Sequence, residues 1–276
     1  MPLPPDLVTI AAEGCTLDID LARGARAVSW RVDGWELLGV RSDDPVEYGM
    51  YPMAPWAGRL RGNAVECDGG SVPLPVTYEP WALHGTVLDS AGEVLELTSS
   101  RLSVRFTAHA GWPWTTHVTV EWSVEPGAVQ TDIRVEAVDE PFPAVVGWHP
   151  WFRRSLESGG PLEWSLDAVC RLERGDDHLP TGRRMPFDAT EGPFDDAFEV
   201  PSGTAHVRWP GALAMDIAAE GDWYVVYDQT PDLVCVEPQS GPPDGLRDAP
   251  LVQPGRPLVM RTTWRFRSDD RPGDRA

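Results

Sequence analysis

The chain contains no lysine: all 23 of its basic residues are arginine. That absence removes the chemistries that need an amine at the reacting centre, among them Schiff-base aldolases, pyridoxal enzymes and P-loop nucleotide hydrolases. Cysteine is scarce, with Cys15, Cys67, Cys170 and Cys235 far apart and no C-x-x-C pair, so a zinc ribbon or thioredoxin-type motif is excluded and free buried thiols are expected. No apolar run is long enough to span a bilayer, and the start, Met1-Pro2-Leu3-Pro4-Pro5-Asp6, lacks the basic and apolar regions of a signal peptide. A cytoplasmic protein is expected. Positive charge is also short, with a formal net charge of −20 that opposes attraction to nucleic acid or anionic lipid and favours neutral small molecules.

What is present is strand periodicity. Cys15 to Leu21 alternates, with Cys15, Leu17, Ile19 and Leu21 on one face and Thr16, Asp18 and Asp20 on the other. Segments 93–98, 102–108, 116–124, 129–138 and 257–267 read similarly, as half-buried antiparallel strands. Asp33-Gly34 and Pro126-Gly127 separate such runs and predict hairpins. No amphipathic pattern is long enough for a helix, while 28 Pro and 26 Gly punctuate the chain. A mainly β architecture follows. Stretches 41–63, 139–161 and 174–203 break the alternation and predict long loops able to carry binding groups. No linker divides the 276 residues, so residues 1–267 are expected to form one domain, followed by a polar tail at 268–276.

Four clusters stand out: Y-P-M-A-P-W-A-G-R-L-R-G-N at 51–63, A-L-H-G-T at 82–86, G-W-H-P-W-F at 147–152 and V-C-V-E-P-Q-S at 234–240. In the last, apolar neighbours bury the strand and Pro238 is expected to stop its pairing, leaving the Glu237 carboxylate at a sheet end. A buried carboxylate is paired or functional; alone, Glu237 reads equally as a strand-end acid bonded to an arginine. His149 alone reads as an idle core histidine, but Trp148 and Trp151 beside it could pack on the C–H face of a pyranose while it supplies a proton. The six histidines, His84, His109, His117, His149, His178 and His206, show no H-x-H, H-x-x-x-H or H-E-x-x-H spacing, so no metal site is expected; His109 and His117 fall in strand patterns and read as structural. No G-x-S-x-G and no strand-following G-x-G-x-x-G occurs, against a serine hydrolase or a dinucleotide enzyme.

In this order the clusters resemble the aldose 1-epimerase (galactose mutarotase) family, from about Leu17 to Phe266. The matches are G-R-L at 58–60, H-G at 84–85, H-P-W-F at 149–152, D-D-A-F at 195–198 and E-P-Q at 237–239. The resemblance implies a large antiparallel β-sandwich, the galactose mutarotase-like supersandwich, in agreement with the strand pattern. It implies interconversion of sugar anomers without a cofactor, with Glu237 as general base and His149 as general acid. An imidazolium and a carboxylate are expected on opposite sides of the sugar. His84, Arg59 and Asp195 would hold sugar hydroxyls, with Trp148 and Trp151 packed beside them. Gly58 stands where many relatives have asparagine and Asp196 where a histidine is frequent, which leaves Asp195 and Asp196 both open as the hydroxyl contact. The implied partner is a small-molecule sugar; no oligomeric state is implied. Two other readings stay open: a hexose-phosphate mutarotase gripping phosphate through Arg59, Arg61, Arg153 and Arg154, and a sugar-binding module without turnover.

Overall fold

A computed structural model describes residues 6–67, 70–108 and 111–269, without the side chain of Cys67; His109 and tail residues 270–276 lie outside the described residues. In most of the segments expected as strands, alternation in the sequence becomes alternation of burial, but Glu93–Leu97, expected to be half-buried, is exposed at every position. In strand Cys15–Asp20 the residues Cys15, Leu17 and Ile19 are buried while Thr16, Asp18 and Asp20 are partly open, and the strand pairs with Leu7–Ala12 and Arg26–Val32. Strands Thr116–Glu125 and Ala128–Ala137 pair in unbroken register from Thr116–Ala137 to Glu125–Ala128 across the Pro126-Gly127 turn. At Asp33-Gly34 both turn residues are left-handed, φ 49° and 89°, which suits the twist of a two-residue hairpin and joins Val32 to Trp35.

Among the described residues the strands form two large antiparallel sheets, of twelve and of eight strands, and two small two-stranded ones. Among the described residues the helical content is three short 3-10 turns. Tryptophans join the two large sheets. Trp148 of the larger meets Trp122 of the smaller at a centroid distance of 4.8 Å, and Trp30 meets Trp264 at 5.8 Å; all four are essentially fully buried. Edge-on contacts of this kind add to burial energies of about 1.5–3 kcal/mol per large apolar side chain.

The expected long loops are a partial error. They contain strands Met50–Met53, Gly147–Pro150, Phe152–Arg153, Pro180–Met185 and Asp195–Glu199. Met50–Met53 and Gly147–Pro150 are buried at every position. A strand covered on both faces has no polar side to alternate.

Candidate active site

Strand Leu233–Gln239 is buried at all seven positions and lies inside the twelve-stranded sheet, between Gly147–Pro150 and Trp223–Tyr227. The expectation that Pro238 ends the pairing fails, since Tyr224 pairs with Pro238 and Trp223 with Gln239. Proline acts on the other side. There the Ser240 N–H bonds Val146 O, so Pro238, two residues earlier, turns its backbone the same way and has no N–H to offer near Trp148. The ladder opens between its pairings at Gly147–Gln239 and Phe152–Val234. Those pairings share one offset, which sets His149 opposite Glu237.

The two side chains touch: His149 Nε2 lies 3.2 Å from Glu237 Oε1. Gln239 Nε2 donates to Glu237 Oε2 at 3.2 Å. The His149 ring is stacked on Tyr51 at 4.8 Å and 16°, meets His84 edge-on at 5.0 Å and leans on Trp151 at 5.2 Å. Burial pushes the Glu237 carboxyl well above its usual range, with Asp195 adding to the rise. Burial also holds His149 down to about 3, with Arg26 adding to the fall. Both shifts favour the neutral form of the group, where the resemblance implies an imidazolium. Nor do they sit on opposite sides: they are neighbours, and would meet the same edge of a sugar. The two oxygens of a hemiacetal share one carbon, so adjacent groups can serve both.

Above this pair lies a cavity of about 310 Å³ whose wall includes Arg59, His84, Trp151, Arg174, Asp195 and Tyr227. Its charges are paired. Asp195 faces Arg174 at 3.0 Å and Arg59 at 3.7 Å, Asp196 faces Arg171 at 3.4 Å and Arg174 at 3.6 Å, and Arg41 faces Glu47 at 3.2 Å. Both aspartates line the cavity.

His84 is held by its backbone. His84 and Gly85 are both left-handed, φ 59° and 82°, and a Cβ on Gly85 would collide with the Ala54 carbonyl that Thr86 N–H bonds at 2.9 Å. The Gly58 N–H donates to His84 Nδ1 at 3.2 Å, which leaves the proton on Nε2. Burial lowers the His84 pKa well below its usual value, with His149 and Arg59 adding to the effect. Gly58 itself has φ 74° with Pro243 against it, a left-handed position that asparagine also tolerates but that here leaves no room for a side chain.

Of the expected site residues, Glu237, His149, Arg59, His84, Asp195 and Trp151 line the one cavity. Trp148 does not. Strand alternation turns it to the opposite face of the sheet from His149, into the core against Trp122, so its expected place beside the sugar is corrected. The phosphate grip of the alternative reading is dispersed. Arg61 pairs with Asp244 and Asp177, Arg153 donates to Leu38 O, and Arg154 to Asp228 O and Thr230 O, all outside this cavity. Sequence reading missed Tyr51, Arg174, Tyr227 and Gln239. Tyr51 and Gln239 lie inside quoted motifs, whereas Arg174 and Tyr227 carry no local signal.

Cys15, Cys170 and Cys235 are free and buried. His149, Cys235 and Glu237 bring donor atoms within 4.8 Å of one another, the one such group among the described residues. Burial pushes the Cys235 thiol well above its ordinary value, with Glu237 adding to the rise. Among the described residues no helix is long and apolar enough to cross a membrane.

No curated protein matches the chain in sequence. Among solved structures, a protein of Escherichia coli K12 superposes with a TM-score of 0.84 at 19% identity, covering 95% of this chain and 99% of the other. A galactose mutarotase-like protein of Clostridium acetobutylicum gives 0.82 at 14% identity, with 95% of each chain covered. A protein of Synechocystis sp. PCC 6803 gives 0.80 at 20% identity, with 96% of each covered. The sequence profile of the aldose 1-epimerase family matches residues 6–235, a span that holds His84, His149 and Asp195 and stops two residues before Glu237. The chain belongs to the aldose 1-epimerase family.

Proposed function

We propose that the protein interconverts the α and β anomers of a free aldohexose, with Glu237 as base and His149 as acid. The observation that carries this reading is the 3.2 Å contact between the two groups on the floor of a cavity of about 310 Å³. Ring opening removes the proton on O1 while the ring oxygen gains one. The pair holds one transferable proton, favoured on Glu237 by burial, and catalysis draws on the tautomer in which that proton sits on His149. The carboxylate then takes the O1 proton and the imidazolium protonates the ring oxygen as its bond to C1 breaks. Rotation about C1–C2 and the reverse transfers close the ring on its other face. No further group is needed to balance the protons.

His84, through its Nε2–H, and the Asp195 pair with Arg59 and Arg174 supply donors and acceptors for hydroxyls, and Trp151 an apolar face. Charge pairing favours a free sugar over a phosphosugar. Arg41, Arg59 and Arg174 each face a carboxylate in the cavity wall, so a phosphate would have to displace an aspartate or glutamate. A binding module without turnover has less support, since sugar binding alone needs no buried acid–base contact. Polarimetry of freshly dissolved α-glucose and α-galactose tests the reading: acceleration by the wild-type protein is expected, and none with either sugar or with other aldoses rejects it.

A further inference from the structure

Arg26 is a fully buried cation without an ion pair among the described residues. Its Nη1 donates to Tyr48 O at 2.8 Å and its Nη2 to Leu88 O at 3.0 Å, while Nε has no partner. Two backbone carbonyls do not neutralise a buried guanidinium, and removing a charge from water without a counterion costs several kcal/mol. What the charge has instead is aromatic faces. The guanidinium carbon lies 4.2 Å from the Tyr48 ring centroid and 4.6 Å from that of Tyr51. Tyr51 is in turn the ring stacked on His149. Three strands set this row: Arg26–Val32 pairs with Met50–Met53 at Ala27–Met50, and Met50–Met53 pairs with Gly147–Pro150 at Tyr51–His149.

We infer that Arg26 is a positioning residue of the acid–base pair, a buried cation that acts on His149 through the face of Tyr51. This rests on the mutarotase reading of Glu237 and His149. The other ionisable groups facing His149 are Glu237 and Cys235 from strand Leu233–Gln239, Tyr51 itself, and His84 and Arg59 from the segments above it. Of the two nearby cations, Arg59 has Asp195 opposite it, whereas Arg26 makes no contact ion pair and feels Asp89 and Arg23 only through space. The field of Arg26 therefore reaches the imidazole only partly offset, by Asp89, two ring spacings away. It opposes a proton resting on His149 and so makes the imidazolium, once formed, a stronger donor to a weakly basic ring oxygen. A unit charge at that separation corresponds to about one pH unit of acid strength, roughly tenfold in the proton-transfer equilibrium.

The test replaces Arg26 with Met and with Lys and follows two readouts. One is the titration of the His149 ring by NMR, its signal assigned by its loss in His149→Asn; the other is the pH dependence of kcat. In Arg26→Met the His149 midpoint and the acid limb of the kcat profile should both rise by about one pH unit, with KM within about twofold. Arg26→Lys, which keeps the cation, should titrate as wild type. A folded Arg26→Met with an unmoved midpoint overturns the inference. If Arg26→Met does not fold, Arg26→Gln, whose amide can still donate to the carbonyls, is read in its place. Should neither neutral variant fold, Arg26 has a packing role and the inference falls. The NMR midpoint does not depend on turnover, so a wild-type protein inactive on every sugar would sink the mutarotase reading while leaving this titration readable.

Discussion

Glu237 and His149 stand directly across from one another on neighbouring strands, 3.2 Å apart, where a proline has opened the backbone ladder between them. Replacing the carboxylate while keeping its shape separates chemistry from binding. Glu237→Gln should lower kcat by about 10² to 10⁴ with little change in sugar affinity. Polarimetry with calorimetric titration of the same sugar checks both numbers, and an undiminished rate would reassign the base.

The same pair makes stability depend on pH in two opposed ways. The Glu237 carboxyl is raised above its ordinary 4.5, so the stability it contributes is complete below that pH and is lost as pH rises through its folded value. Glu237→Gln should therefore raise the Tm at pH 8 and leave it unchanged at pH 4. His149 is lowered from 6.5 to about 3, so its contribution is complete above 6.5 and erodes as pH falls between those values. In His149→Asn the loss of Tm from pH 7 to pH 5 should shrink. Thermal melts across this range read both slopes, and parallel curves for wild type and variants would contradict the assigned directions.

Asp195 anchors Arg174 and Arg59 together. Asp195→Asn removes that charge and leaves Arg59 without its partner. KM for a free sugar should rise about tenfold or more, in line with the loss of a hydrogen bond to a charged group. A hexose 6-phosphate, expected to bind the wild type poorly, should become a measurable competitor. Tight phosphosugar binding by the wild-type protein would reverse the argument from charge pairing.

Trp148 and Trp151 should differ in kind. Trp148→Ala leaves a void against Trp122 and should cost about 3–5 kcal/mol of stability, with KM unchanged in whatever fraction folds. Trp151 lines the cavity and donates its Nε1–H to Val46 O. Trp151→Phe should raise KM several-fold with a smaller loss of stability. Denaturation midpoints set beside KM values distinguish the two, and a KM effect at Trp148 would restore it to the sugar site.

Legibility in the sequence followed physical locality. The hairpin at Asp33-Gly34 was readable because the turn residues themselves must adopt left-handed φ. The long alternating strands were readable because one face meets water. Met50–Met53 and Gly147–Pro150 were not, since they are buried on both faces. Glu237 stood out as a charge in an apolar run, yet Pro238 misled: a proline without an N–H opened one side of its strand and left the other paired. The fate of Trp148 turned on which face an even-numbered position takes. Arg174, Tyr227 and Arg26 were silent because their meaning comes from residues far away in the chain.

The single offset that aligns Gly147 with Gln239 and Phe152 with Val234 also limits how this protein can change. Adding or deleting one residue within 147–150 would present an indole to Glu237 and send the imidazole into the tryptophan core. Length variation among descendants of this chain should therefore collect in the connecting segments, and any that enters this stretch should come two residues at a time.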